Sequence, residues 1–256
     1  MLSMNPQNRF SLDEALRSDW LNDSALLTVK YLDKLTNYEN KQQLEFLKGL
    51  AGVLDDFPER ILLRIIIPKL LDLLKFNSLI ASIVFIIIDL LKRGKLQKDI
   101  FQRQVWSSLK TVTQAKETTA HAIYLFVAHL DIFETFVGEP DFSTHLLPLY
   151  LKCFDCPAKL KHLALSLVMK ISKKVDYQFV KTKLLTKLLV LFKDPSLEIR
   201  KDALRALLAM IRIIDTQTVT LTILPALETV RKAGADPFVN AVIAKIYSML
   251  GESLPI

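Results

Sequence analysis

The chain has 256 residues, of which 51% are hydrophobic and only 6 are glycine, and this composition excludes a disordered or low-complexity protein. Its formal net charge is +7, and the placement of that charge along the chain is informative. The most apolar run, residues 79–88, is far shorter than the roughly 20 residues of a membrane span, so we expect no transmembrane segment. Two cysteines cannot build a disulfide framework, and no signal-peptide pattern is evident at the N-terminus, so we expect a cytoplasmic protein.

The first 23 residues differ from the rest of the chain. In order, they contain Met4-Asn5-Pro6, Arg9, a capping box of Ser11 and Glu14, and Asp19-Trp20-Leu21. This order resembles the last helix of a protein-kinase C-lobe, and the resemblance implies that residues 1–23 are the tail of a kinase-like C-lobe. In kinases the arginine of this motif pairs with the glutamate of an Ala-Pro-Glu element. That element is absent from this sequence, so Arg9 lacks its expected partner.

A period of about 39 residues runs through the rest of the chain. Three prolines follow apolar residues, and each is separated from the next by close to twice that period: Pro68, Pro148 and Pro225. Apolar residues at spacings of three and four predict a helix on each side of breaks such as Asp-Pro-Ser at 194–196. We expect each apolar-Pro element to open the first helix of an antiparallel pair. Intermediate units are expected near residues 104–112 and near Lys187.

These helix pairs predict an all-α, right-handed α-solenoid of HEAT- or armadillo-like repeats. We expect the solenoid to cover residues 24–256 with about five to six units. Residues 120–136 are predicted to form one helix, the partner of the apolar face at 100–112.

Two further stretches carry a family resemblance. They read Glu-Phe-Leu-Lys-Gly-Leu at 45–50 and Val-Leu-Asp-Asp-Phe-Pro-Glu-Arg at 53–60. Following a kinase-like tail and preceding helical repeats, they resemble the Scy-like (SCY1-like) pseudokinases. The match looks closest to the branch associated with clathrin-coated vesicles. Residues 145–177, with a Leu-Pro opening and a terminal Val-Asp-Tyr, and Leu224-Pro225 also resemble that branch.

The resemblance implies a non-catalytic protein-interaction scaffold that acts as an adaptor in Golgi and endosomal vesicle traffic. It implies partners among vesicle coat or tethering proteins, and a cytoplasmic location, peripheral on Golgi or endosomal membranes. Some members are linked to tRNA handling. The alternative is therefore a tRNA- or RNA-associated HEAT factor that binds through a lysine-rich face.

No catalytic chemistry is indicated. The sequence contains no Gly-rich phosphate loop, no His-Arg-Asp and no Asp-Phe-Gly, and no Ser-His-Asp order or paired acidic motif stands in a sensible context. We expect no catalytic, cofactor-binding or metal-binding residue and no cofactor. Cys153 and Cys156 form a C-x-x-C without a second pair or a thioredoxin-like context, so we interpret them as small apolar residues at a helix end.

Positive charge is concentrated between residues 159 and 187. This stretch contains one acidic residue, Asp176, and its excess of positive charge equals the +7 of the whole chain. Its eight lysines form a candidate partner-binding basic patch: Lys159, Lys161, Lys170, Lys173, Lys174, Lys181, Lys183 and Lys187. An acidic peptide, anionic lipid and RNA all fit such a patch. The alternative is an ordinary solvated helix face.

Asp194 and Arg200 lie close together in sequence, at the start of one predicted helix. In HEAT repeats such a pair commonly forms an Asp–Arg ladder between adjacent units, and we predict that structural role here. A ligand-binding Arg200 is the alternative.

Overall fold

The computed structural model describes residues 24–115, 118–233 and 237–250, and every regular element within these ranges is a helix. Few glycines and many leucines and lysines favour this outcome, because leucine and lysine lose little side-chain freedom in a helix. The predicted all-α class is confirmed. Residues 1–23, which the sequence assigns to a kinase-like tail, lie outside the described residues.

Thirteen helices follow one another in the described ranges. They are α1 Ser24–Asp33, α2 Asn40–Val53, α3 (Glu59–Ile61, Leu62–Ile66 and Ile67–Asp72), α4 Asn77–Lys92, α5 (Lys98–Ile100, Phe101–Val105 and Trp106–Gln114), α6 Ala120–Ala128, α7 Leu130–Phe136, α8 (Glu139–Asp141, Phe142–Leu146 and Leu147–Lys152), α9 Ala158–Ser172, α10 (Tyr177–Phe179, Val180–Leu184 and Leu185–Leu191), α11 Leu197–Met210, α12 (Thr216–Thr218, Val219–Ile223 and Leu224–Ala233) and α13 Pro237–Leu250. The middle part of each three-part helix is π-helical. Short 3-10 turns occupy Leu35–Asn37, Leu54–Asp56, Leu73–Lys75 and Cys153–Asp155.

The helices form two compact units. The first contains the described residues up to Leu125 together with Asp131–Glu139, and the second contains Phe126–Leu130 and the described residues from Pro140 onward. In the first unit α2 packs on α4. In the second unit α9 packs on α11, and α11 packs on α13.

The π-helical segments mark the repeats. Their first residues recur at nearly constant spacing along the chain: Leu62, Phe101, Phe142, Val180 and Val219. This spacing agrees with the period that the prolines indicate, and it places the two intermediate units in α5 and α10. We call the helix with the π-helical segment the first helix of its repeat. The helices that follow, α4, α6 with α7, α9, α11 and α13, are second helices.

The prediction that the three prolines open their helices is wrong. Helix α3 begins at Glu59, well before Pro68, and Pro148 and Pro225 likewise follow a π-helical segment inside α8 and α12. Proline is excluded from most helix interiors because it lacks an N–H and crowds the carbonyl of the preceding turn. In the π-helical segment of α3 the Ile67 N–H donates to the Leu62 carbonyl, so the winding is already widened where the proline follows.

The two repeats without proline have a hydroxyl residue at the same place. Ser107 and Thr186 occupy the positions equivalent to Pro148. Their hydroxyls donate to backbone carbonyls of the preceding turn, Ser107 to Gln104 at 3.4 Å and Thr186 to Thr182 at 3.0 Å. The π-helical segment therefore does not depend on proline. In the described ranges it is followed by proline in three repeats and by serine or threonine in two.

This equivalence predicts that Pro148→Thr is tolerated. We expect a change in the free energy of unfolding within about 1 kcal/mol, because the helix already has the widened winding without proline in two repeats. Ser166→Pro is the matched control, since Ser166 is exposed in the middle of α9, a regular α-helix, where proline costs about 3 kcal/mol or more. Urea unfolding followed by circular dichroism measures both, and equal losses would contradict the assignment.

Aspartates start two of the first helices. The Asp176 carboxylate accepts the Phe179 N–H at 2.6 Å at the start of α10, and the Asp215 carboxylate accepts the Thr218 N–H at 2.7 Å at the start of α12. Each satisfies a backbone donor that has no partner within the helix. Asp215 also lies 3.4 Å from Lys181 of α10.

Candidate interaction surface

The lysines of the predicted patch divide between a second helix and a first helix of the second unit. Lys159, Lys161 and Lys170 lie on α9, Lys173 and Lys174 directly follow α9, and Lys181, Lys183 and Lys187 lie on α10. All are exposed except Lys161 and Lys187, which are half-buried. The charge that is continuous in the sequence is therefore shared between two layers of helices.

Three of these lysines pair with aspartates about one repeat away. Lys161 Nζ on α9 lies 2.6 Å from Asp194 Oδ2, in the turn before α11. Lys181 and Lys187 form the pairs Lys181–Asp215 at 3.4 Å and Lys187–Asp155 at 2.5 Å. Because each pair joins neighbouring repeats, part of the predicted patch serves the cohesion of the repeats themselves.

The first unit repeats this arrangement. Arg93 lies 2.5 Å from the carboxylate of Asp55, about one repeat earlier in the chain, and Lys69 forms an ion pair with Asp33. Ion pairs across one repeat thus occur in both units, and their aspartates lie near the ends of helices or in the turns that follow them. Exposed pairs of this kind contribute little individually.

The predicted pair Asp194 and Arg200 has an unexpected geometry. The Arg200 guanidinium donates to the backbone carbonyls of Asp194 at 2.7 Å and Pro195 at 3.3 Å, within the same turn. The buried Asp194 carboxylate accepts from Lys161 Nζ and from the Ser196 N–H at 2.9 Å. Arg200 closes the turn, and the link to the preceding repeat is made by Lys161. The Asp–Arg ladder between repeats stays a prediction.

The electrostatics of Asp194 reflect these partners. Burial raises the pKa of the Asp194 carboxyl, but the hydrogen bonds from Lys161 and the Ser196 N–H outweigh that effect, and the pKa lies below its ordinary value. Sequence reasoning missed Lys161 as the partner of Asp194. The signal was available, because the two residues are separated by close to one repeat period.

The lysines outside these pairs lie mainly at the end of α9. Lys170 and Lys173 are exposed and make no ion pair with any residue in the described ranges. Their position at the C-terminal end of a helix is favourable for positive charge, because the helix dipole is negative there. Lys183 on α10 is likewise exposed and forms no ion pair in the described ranges.

The C-x-x-C lies at the end of α8. Cys153 is buried in the 3-10 turn, with its thiol 3.5 Å from the Leu149 carbonyl, and Cys156 is half-buried. Burial raises the pKa of Cys153 to about 12, with a smaller contribution from Cys156, and it also raises the pKa of Cys156. No group of three His, Cys, Asp or Glu side chains in the described ranges could hold a metal ion.

These environments predict unequal thiol reactivity. At pH 8 we expect an aromatic disulfide reagent to modify Cys156 in the folded chain, and Cys153 only after denaturation, because the reactive form is the thiolate. The Cys156→Ser variant should then show no rapidly reacting thiol. If both cysteines of the folded chain react at similar rates, Cys153 does not lie in the buried turn.

Comparison with known proteins adds to this geometry. No protein-family profile matches the chain. It is 22% identical over 249 residues to SCY1-like protein 2 of Homo sapiens, covering 96% of this chain and 26% of that protein. The chain is related to the SCY1-like proteins. It is also 25% identical over 249 residues to protein kinase-like protein SCY1 of Saccharomyces cerevisiae, covering 91% of this chain and 30% of that protein. The resemblance to the Scy-like family is confirmed.

A third relative spans nearly all of the chain. Protein kinase domain-containing protein ppk32 of Schizosaccharomyces pombe is 22% identical over 259 residues, covering 99% of this chain and 34% of that protein. This chain therefore spans about a quarter to a third of the length of these relatives. What the whole proteins do comes to this chain only as a proposal.

A solved structure has a similar fold. The crystal structure of Cex1p superposes with a TM-score of 0.51 at 16% identity, covering 93% of this chain and 55% of that chain. At this identity the likeness concerns the fold alone, and it agrees with the predicted helical-repeat class. Within the described ranges, no helix combines the length and the apolar character that crossing a membrane requires.

Proposed function

We propose that the chain is a non-catalytic interaction scaffold of SCY1-like type, which acts as an adaptor in Golgi and endosomal, clathrin-linked vesicle traffic. The relation to the SCY1-like proteins over 91 to 99% of the chain is the observation that carries the proposal. In this proposal residues 1–23 are the tail of a kinase-like C-lobe, and residues 24–256 are a solenoid of HEAT-like units. The chain works in the cytoplasm, peripherally on Golgi or endosomal membranes.

Two structural features support a binding role. Within each unit, consecutive helix pairs present rows of exposed side chains, which suits the recognition of extended partner segments. The end of α9 carries the exposed cations Lys170, Lys173 and Lys174, and α9 itself contains no acidic residue. A vesicle coat or tethering component with an acidic segment is the partner that fits.

The test compares partners of defined identity. The chain is tagged and purified from cells, as wild type and with Lys170, Lys173 and Lys174 changed to glutamate, and the copurifying proteins are identified. We expect coat or tethering components with the wild-type form and their loss on charge reversal. If neither coat components nor tethering components copurify with the wild-type protein, the adaptor role is overturned.

RNA binding through the lysine-rich face is the second candidate, and the concentration of lysines between residues 159 and 187 favours it. It predicts copurification of RNA or tRNA-processing factors in place of coat components, with loss on the same charge reversal. It also predicts a steep fall of RNA affinity with salt, because phosphate contacts release counterions. Aromatic side chains for base stacking are few near the patch, which is why we place this function second.

A further inference from the structure

The second helices of the second unit are unusually poor in acidic residues. Helices α9, α11 and α13 together contain seven lysine and arginine residues and two acidic residues, Glu198 and Asp202. In the first unit, α2 and α4 contain three lysines and two acidic residues. The imbalance in α9, α11 and α13 is therefore absent from α2 and α4, and it extends beyond the stretch 159–187 that stands out in the sequence.

Both acidic residues already have basic partners. The Asp202 carboxylate lies 2.6 Å from His162 Nδ1 on α9, and it accepts from Arg205 at 2.7 Å on its own helix. Glu198 lies 3.9 Å from Lys201. Because Glu198 and Asp202 are paired in this way, neither carboxylate neutralises the lysine and arginine residues at the C-terminal ends of α9 and α11.

Contacts between the three helices establish their alignment. His162 on α9 meets Asp202 on α11, and the Arg205 guanidinium on α11 lies 5.1 Å from the centre of the Phe238 ring on α13. Helix α11 also packs on α10, and α13 packs on α12, so the exposed sides of α11 and α13 face away from the first helices. Exposed side chains on the three helices therefore form one surface.

Four exposed cations lie on these helices or directly after them and have no ion-pair partner in the described ranges: Lys170 on α9, Lys173 after α9, Arg212 after α11 and Lys245 on α13. We call these four residues the basic face. The same helices also carry partly exposed apolar side chains, since Leu163, Leu167 and Leu208 are half-buried and Met249 is exposed. The basic face thus offers both charge and apolar contact.

We propose that the basic face binds a segment of a partner protein in which aspartate or glutamate alternates with apolar residues. This inference rests on the proposed scaffold function and assigns it a surface and a partner chemistry. Neighbouring helices lie roughly 10 Å apart, so the three helices span about 20 Å, which an extended segment of about six residues covers. The acidic side chains pair with the four cations, and the apolar ones contact the leucines and Met249.

Protein fits this surface better than RNA does. Within residues 158–172, 197–210 and 237–249 the aromatic side chains are Phe238, which is half-buried beside Arg205, and Tyr247, which is buried. Neither is free for bases to stack on. A membrane surface would be met by large exposed apolar side chains, and in these three ranges Met249 and Leu197 alone have that character.

The experiment uses short labelled peptides in which glutamate alternates with leucine or phenylalanine, and the same peptides with glutamine replacing glutamate. Binding to the 256-residue chain is measured by fluorescence anisotropy at low and moderate salt. The test variant carries Lys170→Glu, Arg212→Glu and Lys245→Glu. The matched control carries Lys41→Glu, Lys48→Glu and Lys92→Glu, which change the same charge at exposed lysines on α2 and α4 of the first unit.

We expect the acidic peptides to bind, the glutamine peptides not to bind, and the test variant to lose affinity about tenfold or more while the control changes by less than about twofold. Equal loss in both variants overturns the proposal, because it indicates unspecific attraction. So does a preference for an oligonucleotide or for phosphatidylserine vesicles over the acidic peptides. Circular dichroism of both variants confirms that each is folded.

The two proposals fail separately. If coat or tethering components copurify with the test variant as they do with wild type, the scaffold function stands and the basic face is not its binding surface. If acidic peptides bind the basic face but no coat or tethering component copurifies, the surface stands and the adaptor role fails.

Discussion

Replacing Phe133 with alanine is expected to lower the free energy of unfolding by about 3–5 kcal/mol, the usual cost of removing a buried aromatic side chain. Phe133 is completely buried in the first unit, with its ring centre 6.4 Å from that of Phe101 and 6.3 Å from that of Trp106. The tilted rings of these three residues fill the space between α5 and α7. Removing one leaves a cavity that the other two cannot close, because they are themselves held at full burial.

Phe85 supplies the control within the same unit. Its side chain is 50% exposed on α4, so Phe85→Ala removes the same atoms with about half the loss of burial and leaves no enclosed cavity. We expect its cost to stay below about 1 kcal/mol. Urea unfolding followed by circular dichroism measures both variants. Similar losses for Phe133→Ala and Phe85→Ala would mean that the aromatic cluster does not form the core of this unit.

The same region separates what sequence patterns can predict from what they cannot. The apolar spacing at 100–112 predicts one face of a helix, and Phe101, Val105 and Trp106 are indeed fully buried there. The prediction of a single helix over 120–136 is wrong, because α6 ends at Ala128 and α7 begins at Leu130. No glycine or proline marks that break, and the apolar spacing continues across it, so local sequence carries no signal for it.

The prolines illustrate a different limit. Their period was visible in the sequence, and it located the repeats, because the same helix pair recurs with nearly constant spacing. Their position within the helix was not visible, because proline normally suits the first turn of a helix and the sequence does not announce a π-helical segment. The rule that proline suits the first turn of a helix therefore located the three helices correctly but placed their first residues too late in the chain.

The basic patch shows why charge in sequence differs from charge in space. Lys161 and Lys187 look like members of one patch, yet each meets an aspartate of a neighbouring repeat. Arg212 and Lys245 lie outside the patch in sequence, and the proposed basic face groups them with Lys170 because α9, α11 and α13 pack side by side. A repeat protein brings residues one period apart into contact, so its surfaces are composed across repeats rather than along the chain.

The ion pair between Lys161 and the buried Asp194 is the second place where one substitution is expected to cause a large loss of stability. Changing Lys161 to methionine is expected to destabilise the chain at pH 7 by about 1–3 kcal/mol, because it leaves a buried carboxylate without its ion-pair partner. The Asp194 side chain is only 5% exposed. The remaining hydrogen-bond partner of that carboxylate, the Ser196 N–H, carries no full charge, and the positive charge of Arg200 acts on Asp194 more weakly than Lys161 does.

The exposed pair of Lys187 and Asp155 is the matched control. Its nitrogen–oxygen distance of 2.5 Å is similar, but the Asp155 side chain is 61% exposed to water. Water and salt screen such a pair, so we expect Lys187→Met to cost less than about 1 kcal/mol. Equal costs for the two methionine variants would show that the burial of Asp194 has no energetic consequence.

The difference in the free energy of unfolding between wild type and the Lys161 variant is expected to change with pH in a defined direction. Burial raises the pKa of Asp194, but Lys161 and the Ser196 N–H lower it further than that, so the ionised carboxylate stabilises the wild-type fold at pH values above the ordinary aspartate pKa of about 3.9. That contribution is lost as the pH falls through the lowered value. In the Lys161 variant the Asp194 carboxylate is still buried but has lost the positive charge that offset the cost of burying it. Protonation of Asp194 removes that buried charge and therefore makes the variant more stable.

The stability difference between wild type and Lys161→Met should therefore be largest at neutral pH and shrink as the pH falls towards about 3. Urea unfolding at a series of pH values measures it. Adding Asp194→Asn to Lys161→Met removes the buried charge altogether, and we expect this double variant to recover part of the loss at neutral pH. A difference that stays constant with pH, or a double variant no more stable than the single one, would mean that Lys161 contributes by packing its methylene stem and not by holding the charge of the next repeat.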